Sequence, residues 1–132
     1  MLRILLVDDD DVARETLADM LAENGYHVVE AKTGRVAMDR LRRASFDLLI
    51  TDLIMPEMDG LELIRAVRAQ DTELPIIAMS AAGSQFGFDF LPYAKAFGAN
   101  GMILKPVKLE ELIKLIGLLA SAMPMLRQLW LG

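Results

Sequence analysis

Four places in this 132-residue chain set acidic, hydroxyl or ammonium groups directly behind short apolar runs. Asp8-Asp9-Asp10-Asp11 follows Leu2–Val7, Asp52 follows Leu48-Leu49-Ile50-Thr51, Ser80 follows Ile76–Met79, and Lys105-Pro106 follows Gly101–Leu104. A run of acids is ordinarily a solvated loop or the negative start of a helix. That reading suits Asp11 and Asp10, the latter as an N-cap. It does not suit Asp8 and Asp9, which come straight off a buried strand and face a third acid at Asp52. Three carboxylates close together raise one another's pKa unless a cation neutralises them, and hard oxygen donors with open water positions suit Mg²⁺ or Mn²⁺. A carboxylate bound to such an ion can act as nucleophile toward a phosphoryl group and form an acyl phosphate. The transition state carries negative charge on its equatorial oxygens, where an ammonium (Lys105) and a hydrogen-bond donor (Ser80) stabilise it. Taken singly, a serine at a strand end is a turn residue and a lysine before proline a surface charge. Beside three acids they read as one site.

Those groups meet only if the apolar runs lie side by side. Short β-forming runs at Leu2–Val7, His27–Ala31, Asp47–Thr51, Pro75–Met79 and Gly101–Leu104 are separated by segments long enough for helices. Val12, Leu17, Met20 and Leu21, then Val36, Ala37 and Leu41, then Leu61, Leu63, Ile64 and Val67 recur at three- and four-residue steps, as helices with one buried stripe do. Leu109, Leu112, Ile113, Leu115, Ile116 and Leu119 mark a last helix. Leu48–Ile50 and Ile76–Met79 are continuously apolar, as strands covered on both faces are. The pattern predicts an α/β fold with a doubly wound parallel sheet of five strands, in which ligands collect at the carboxyl ends of the strands. Asn24-Gly25, Thr33-Gly34, Asp59-Gly60 and Ala99-Asn100-Gly101 punctuate the elements at the expected places. Met123-Pro124-Met125 is expected to stop the last helix, leaving residues 1–122 as one domain and 123–132 as a tail or the start of a linker.

Composition narrows the chemistry. There is no Cys and one His, so thiolate metal sites, cysteine nucleophiles and His-rich centres are excluded. Fourteen basic against nineteen acidic side chains give a net charge of −5, which argues against unaided binding to nucleic acid or anionic lipid. The acids after Val7 are unlike a signal-peptide cleavage region, and Lys114, Gly117 and Ser121 interrupt the longest apolar segment, so a cytoplasmic location is expected.

Ile-Leu-Leu-Val-Asp8-Asp9-Asp10, Asp47-Leu-Leu-Ile-Thr-Asp52-Leu-Ile-Met-Pro56-x-Met-Asp59-Gly60, Ile76-Ile-Ala-Met-Ser80-Ala81 and Gly98-Ala-x-Gly101-x3-Lys105-Pro106 resemble the receiver domains of two-component response regulators, chemotaxis receivers included. The resemblance implies a flavodoxin-like sheet of strand order 2-1-3-4-5. It makes Asp52 the phospho-acceptor, Asp8 and Asp9 the acidic metal ligands, and Ile54 the donor of a backbone carbonyl to Mg²⁺ (or Mn²⁺). Ser80, with Ala81 after it, becomes the switch hydroxyl and Lys105 the phosphate-pairing lysine, with a candidate cis bond to Pro106. It further implies a histidine kinase or histidine phosphotransfer protein as donor. A response of the face formed by the fourth helix, fifth strand and fifth helix would then serve a homodimer or an output domain.

Some positions depart from that family's pattern. Met102 stands where an aromatic switch residue is usual. The segment from Ala82 to Pro92 is longer than in chemotaxis-type receivers and holds Phe86, Phe88 and Phe90. Ile54 and Ala82 flank the expected path of a hydrolytic water and offer no side-chain hydrogen bond, so a long-lived phosphoryl group is expected. A different class is also in view: Asp8-x-Asp10-x-Val12 has the letters of a haloacid-dehalogenase-like phosphohydrolase, with Asp8 as nucleophile and Asp10 as general acid, although such a match is cheap in an aspartate run.

Overall fold

The structure is a computed structural model that describes residues 1–55, 59–81 and 91–131, with no account of the side chains of 91 and 121–131. Ten elements alternate: β1 (Arg3–Val7), α1 (Asp11–Glu23), β2 (His27–Ala31), α2 (Gly34–Arg43), β3 (Leu48–Asp52), α3 (Gly60–Gln70), β4 (Ile76–Ala81), α4 (Leu91–Phe97), β5 (Gly101–Lys105) and α5 (Leu109–Leu131). The five strands form one sheet in the order β2-β1-β3-β4-β5, and every pair is parallel. The expected fold and strand order are both present.

Alternation along the strands divides the core in two. Leu5, Val7, Leu49, Ile76 and Ala78 pack with Ala37 and Met38 of α2, Leu63, Ile64 and Val67 of α3, and Ala94 of α4. Ile4, Leu6, Leu48, Ile50, Ile77, Met79 and Ile103 pack with Leu17, Ala18 and Leu21 of α1 and Leu112 and Ile116 of α5. β3 is buried at every position, which explains its unbroken apolar sequence. Each wholly buried Leu or Ile contributes about 1.5–3 kcal/mol of transfer free energy, so the sheet's centre is its most rigid part.

Side-chain caps start the helices where the sequence places them. Asp10 accepts from Ala13 N at 3.2 Å, Thr33 from Val36 N at 3.2 Å and Asp59 from Glu62 N at 2.9 Å. At the far end of α1, Gly25 takes φ +91°, a left-handed turn that glycine enters without steric cost. One boundary differs from expectation. α5 passes through Pro124 and runs to Leu131, absorbing residues assigned to a tail. A proline removes one helical hydrogen bond, and the Leu, Met, Arg and Gln residues after it are good helix formers that sustain the helix beyond that local loss.

Candidate functional site

Parallel pairing brings the carboxyl ends of β1, β3, β4 and β5 to one edge, and with them Asp8, Asp9, Asp52, Ser80 and Lys105. Lys105 spans the gap: its Nζ donates to Asp8 Oδ2 at 2.9 Å and to Asp52 Oδ2 at 3.1 Å. Both acids are largely withdrawn from water, Asp8 at 2% and Asp52 at 8% exposure. Asp8, Asp9 and Asp52 can each present a carboxylate oxygen within 4.8 Å of the others. Three hard, anionic oxygens so placed fit a divalent cation such as Mg²⁺, and no softer donor competes among them.

Electrostatics follow from this crowding. Burial pushes the Asp52 pKa above the ordinary carboxylate value; the Lys105 charge opposes the shift and the Asp8 charge adds to it. For Lys105, burial works against the charged form, but the hydrogen bond to Asp8 and the charges of Asp52 and Asp8 outweigh it and raise the pKa. The lysine is therefore a fixed cation, and burial leaves the charged form of Asp52 poorly supported.

The loop after β3 is held by its backbone. Leu53 N donates to Met79 O at 3.0 Å and Gly60 N to Leu53 O at 3.0 Å, which draws the start of α3 against Asp52. A Cβ on Gly60 would lie 2.0 Å from the Asp52 carbonyl oxygen, so only glycine permits the approach. Ile54 meets Asp52 through its amide, at a long 3.5 Å from Oδ1.

The other expected switch residues are placed differently from one another. Ser80 is buried near the end of β4 and its hydroxyl donates to the Ala81 carbonyl at 3.1 Å; Ala81 itself is exposed. Met102 lies outward on β5, lining a groove with Leu104, Glu111, Lys114, Leu115 and Leu118, so it fills no cavity beneath the site. The Lys105–Pro106 peptide is cis. Pro56 and the segment from Ala82 to Phe90, with its three phenylalanines and the water-path position at Ala82, lie outside the described residues. Asp10 Oδ1 accepts from Ala13 N as an N-cap, and that contact lends no support to the phosphohydrolase alternative.

Sequence reasoning missed Arg14. Its guanidinium bonds the Asp8 carbonyl, Asp11 and Glu30 while Lys32 reaches Asp11, so β2 supports the site through its charges and contributes no ligand. The Asp11–Arg14 spacing of three on a helix was the available signal.

The family model for the response regulator receiver domain matches residues 4–117. The chain belongs to that family. It is thus a receiver of two-component signalling, as its sheet-edge acids, hydroxyl and lysine indicate. The receiver is 39% identical over 115 residues to response regulator MprA of Mycolicibacterium vanbaalenii, an alignment covering 84% of this chain and 47% of that protein. The chain therefore spans about half the length of the curated relatives it matches. Among solved structures, chemotaxis protein CheY4 of Vibrio cholerae superposes with a TM-score of 0.81 at 34% identity, over 90% of this chain and 98% of that one. The signal receiver domain of a signal transduction histidine kinase from Syntrophus aciditrophicus gives 0.82 at 31% identity, over 92% and 91%. Among the described residues, no helix is long and apolar enough to cross a membrane.

Proposed function

We propose that Asp52 is the phospho-acceptor of a Mg²⁺-dependent switch, charged by the phosphohistidine of a histidine kinase or histidine phosphotransfer protein. The observation that carries this reading is the Lys105 ammonium lying between Asp8 and Asp52, beside a three-carboxylate cluster. Asp52 Oδ attacks phosphorus, the phosphorus–nitrogen bond breaks, and the donor's imidazole, already protonated on its other ring nitrogen, leaves as the neutral ring. A bound divalent ion supplies charge neutralisation for the transferring oxygens. Lys105 exchanges its contact with the Asp52 carboxylate for one with the phosphoryl oxygens, and Ser80 turns its hydroxyl from the Ala81 carbonyl toward them. An apolar recess between α1 and Pro106-Val107, lined by Ala13, Thr16 and Met20, opens beside Asp8 and Lys105 and offers the donor a footing. Both moving groups sit next to the α4–β5–α5 face, where Met102, Leu104 and Leu118 are exposed to meet a second copy or an output domain.

The test is intact mass after incubation with Mg²⁺ and acetyl phosphate. One labile phosphoryl adduct is expected, lost in Asp52→Ala and strongly reduced in Lys105→Met. An adduct that persists in Asp52→Ala would move the acceptor elsewhere and end this reading.

A further inference from the structure

We propose that Arg14 is a positioning residue for the acidic site, gripping Asp8 from behind so that the Asp8 and Asp9 carboxylates are set for a divalent cation. The inference rests on reading Asp8, Asp9 and Asp52 as that cation's ligands.

Arg14 lies one turn into α1 and is 9% exposed, unusual for a guanidinium outside any described role. Its Nη1 donates to the Asp8 carbonyl oxygen at 2.9 Å and to Asp11 Oδ1 at 2.9 Å, and its Nε to Glu30 Oε1 at 3.0 Å. Asp11 and Glu30 neutralise the buried charge and hold the fork in one orientation. Every polar atom of Asp8 is engaged. Its amide donates to Ala31 O at 3.2 Å, Oδ1 accepts from Asp10 N at 3.0 Å, Oδ2 accepts from Lys105 at 2.9 Å, and the carbonyl accepts from Arg14. A cation competes for the two carboxylate contacts. The two main-chain contacts are independent of it, and they tie Asp8 to β2, directly through Ala31 and indirectly through Arg14 and Glu30. The peptide whose oxygen Arg14 holds is also the one that leads into Asp9, so a single donor sets the direction of both acids. A lysine would keep the charge, but its ammonium lacks the planar fork that meets three acceptors at once.

The experiment is a Mn²⁺ titration of the whole chain, followed by the electron paramagnetic resonance of the free ion, with urea unfolding of each variant recorded without metal. Arg14→Met is expected to weaken Mn²⁺ binding by about 10–100-fold, as loss of an outer-sphere partner does. Arg14→Lys should recover part of that loss, and Glu30→Gln should show a smaller one. Lowered unfolding midpoints with unchanged Mn²⁺ affinity would make Arg14 a structural brace and overturn the proposal. If Arg14→Met does not fold, Arg14→Lys and Glu30→Gln decide, and wild-type affinity in both overturns it. Mn²⁺ binding that is absent in wild type, or that survives Asp8→Asn and Asp52→Asn, removes the cation site and the inference together. Binding lost in those two variants but untouched at Arg14 and Glu30 removes the inference alone.

Discussion

Replacing Gly60 by alanine tests whether the start of α3 fixes Asp52, the proposed acceptor. The added Cβ would fall 2.0 Å from Asp52 O and 2.6 Å from Leu53 Cα, both main-chain atoms that no rotamer change can clear. Real Cβ contacts essentially never fall under 3.0 Å, so the strand end and the helix must separate by about 1 Å. The cost belongs at the upper end of the ~1–3 kcal/mol of overpacking, large against a domain stability of about 5–15 kcal/mol but short of unfolding it. The same displacement falls on Asp52, the proposed acceptor, and a 1 Å misplacement can lower a rate by about 100-fold. Urea unfolding by circular dichroism gives the first quantity, and the rate of acetyl phosphate labelling by intact mass gives the second. Gly25→Ala is the control, since its φ of +91° is strained for alanine but nothing lies within 4 Å of the new Cβ. It should cost about 1 kcal/mol and leave labelling untouched. Wild-type stability and labelling in Gly60→Ala would refute the reasoning, as would slow labelling wholly explained by an unfolded fraction.

Two further outcomes follow from the charges of Asp52 and Arg68. The Asp52 pKa lies above its ordinary value of 3.8, so the stability linked to this group is fully present below that value and is lost as pH rises through the folded pKa. Asp52→Asn should therefore be more stable than wild type at neutral pH without metal, with the advantage shrinking on acidification toward pH 4; urea midpoints across that range check it, and a constant difference contradicts it. Arg68 donates to Gly98 O at 3.0 Å, Asp71 O at 3.0 Å and Asn100 Oδ1 at 2.8 Å, fastening the end of α4 to α3. Arg68→Met should cost about 1–3 kcal/mol and speed amide exchange at Ala99, while a change within about 0.5 kcal/mol would mean that these bonds add nothing net.

The site was legible because its members are local in kind: each acid, hydroxyl or lysine closes an apolar run, and parallel pairing then aligns the run ends. Asp10, Thr33 and Asp59 were legible for the same reason, since a cap acts within three residues. What escaped was long-range or opposed by a local rule. Arg14 meets Glu30 sixteen residues away and Arg68 meets Gly98 thirty away, and no periodicity announces such pairs. Pro124 was read as a stop, but a single breaker does not end α5. Met102 stands where the family usually has an aromatic switch residue, and the alternation of β5 turns it outward.

The bridging lysine has a consequence for ion choice. Were all three carboxylates charged, the one ammonium would leave two negative charges uncompensated at a partly buried edge. Valence thus filters before size does: a monovalent ion leaves the deficit half filled, and a divalent ion brings the site to neutrality. Under the proposed function, phosphorylation exchanges the single negative charge of Asp52 for about two. The modified site would then hold roughly one unit of unbalanced negative charge, where the same site with a divalent ion and no phosphoryl group would hold none. That step in local field would be available to a partner before a single helix has moved.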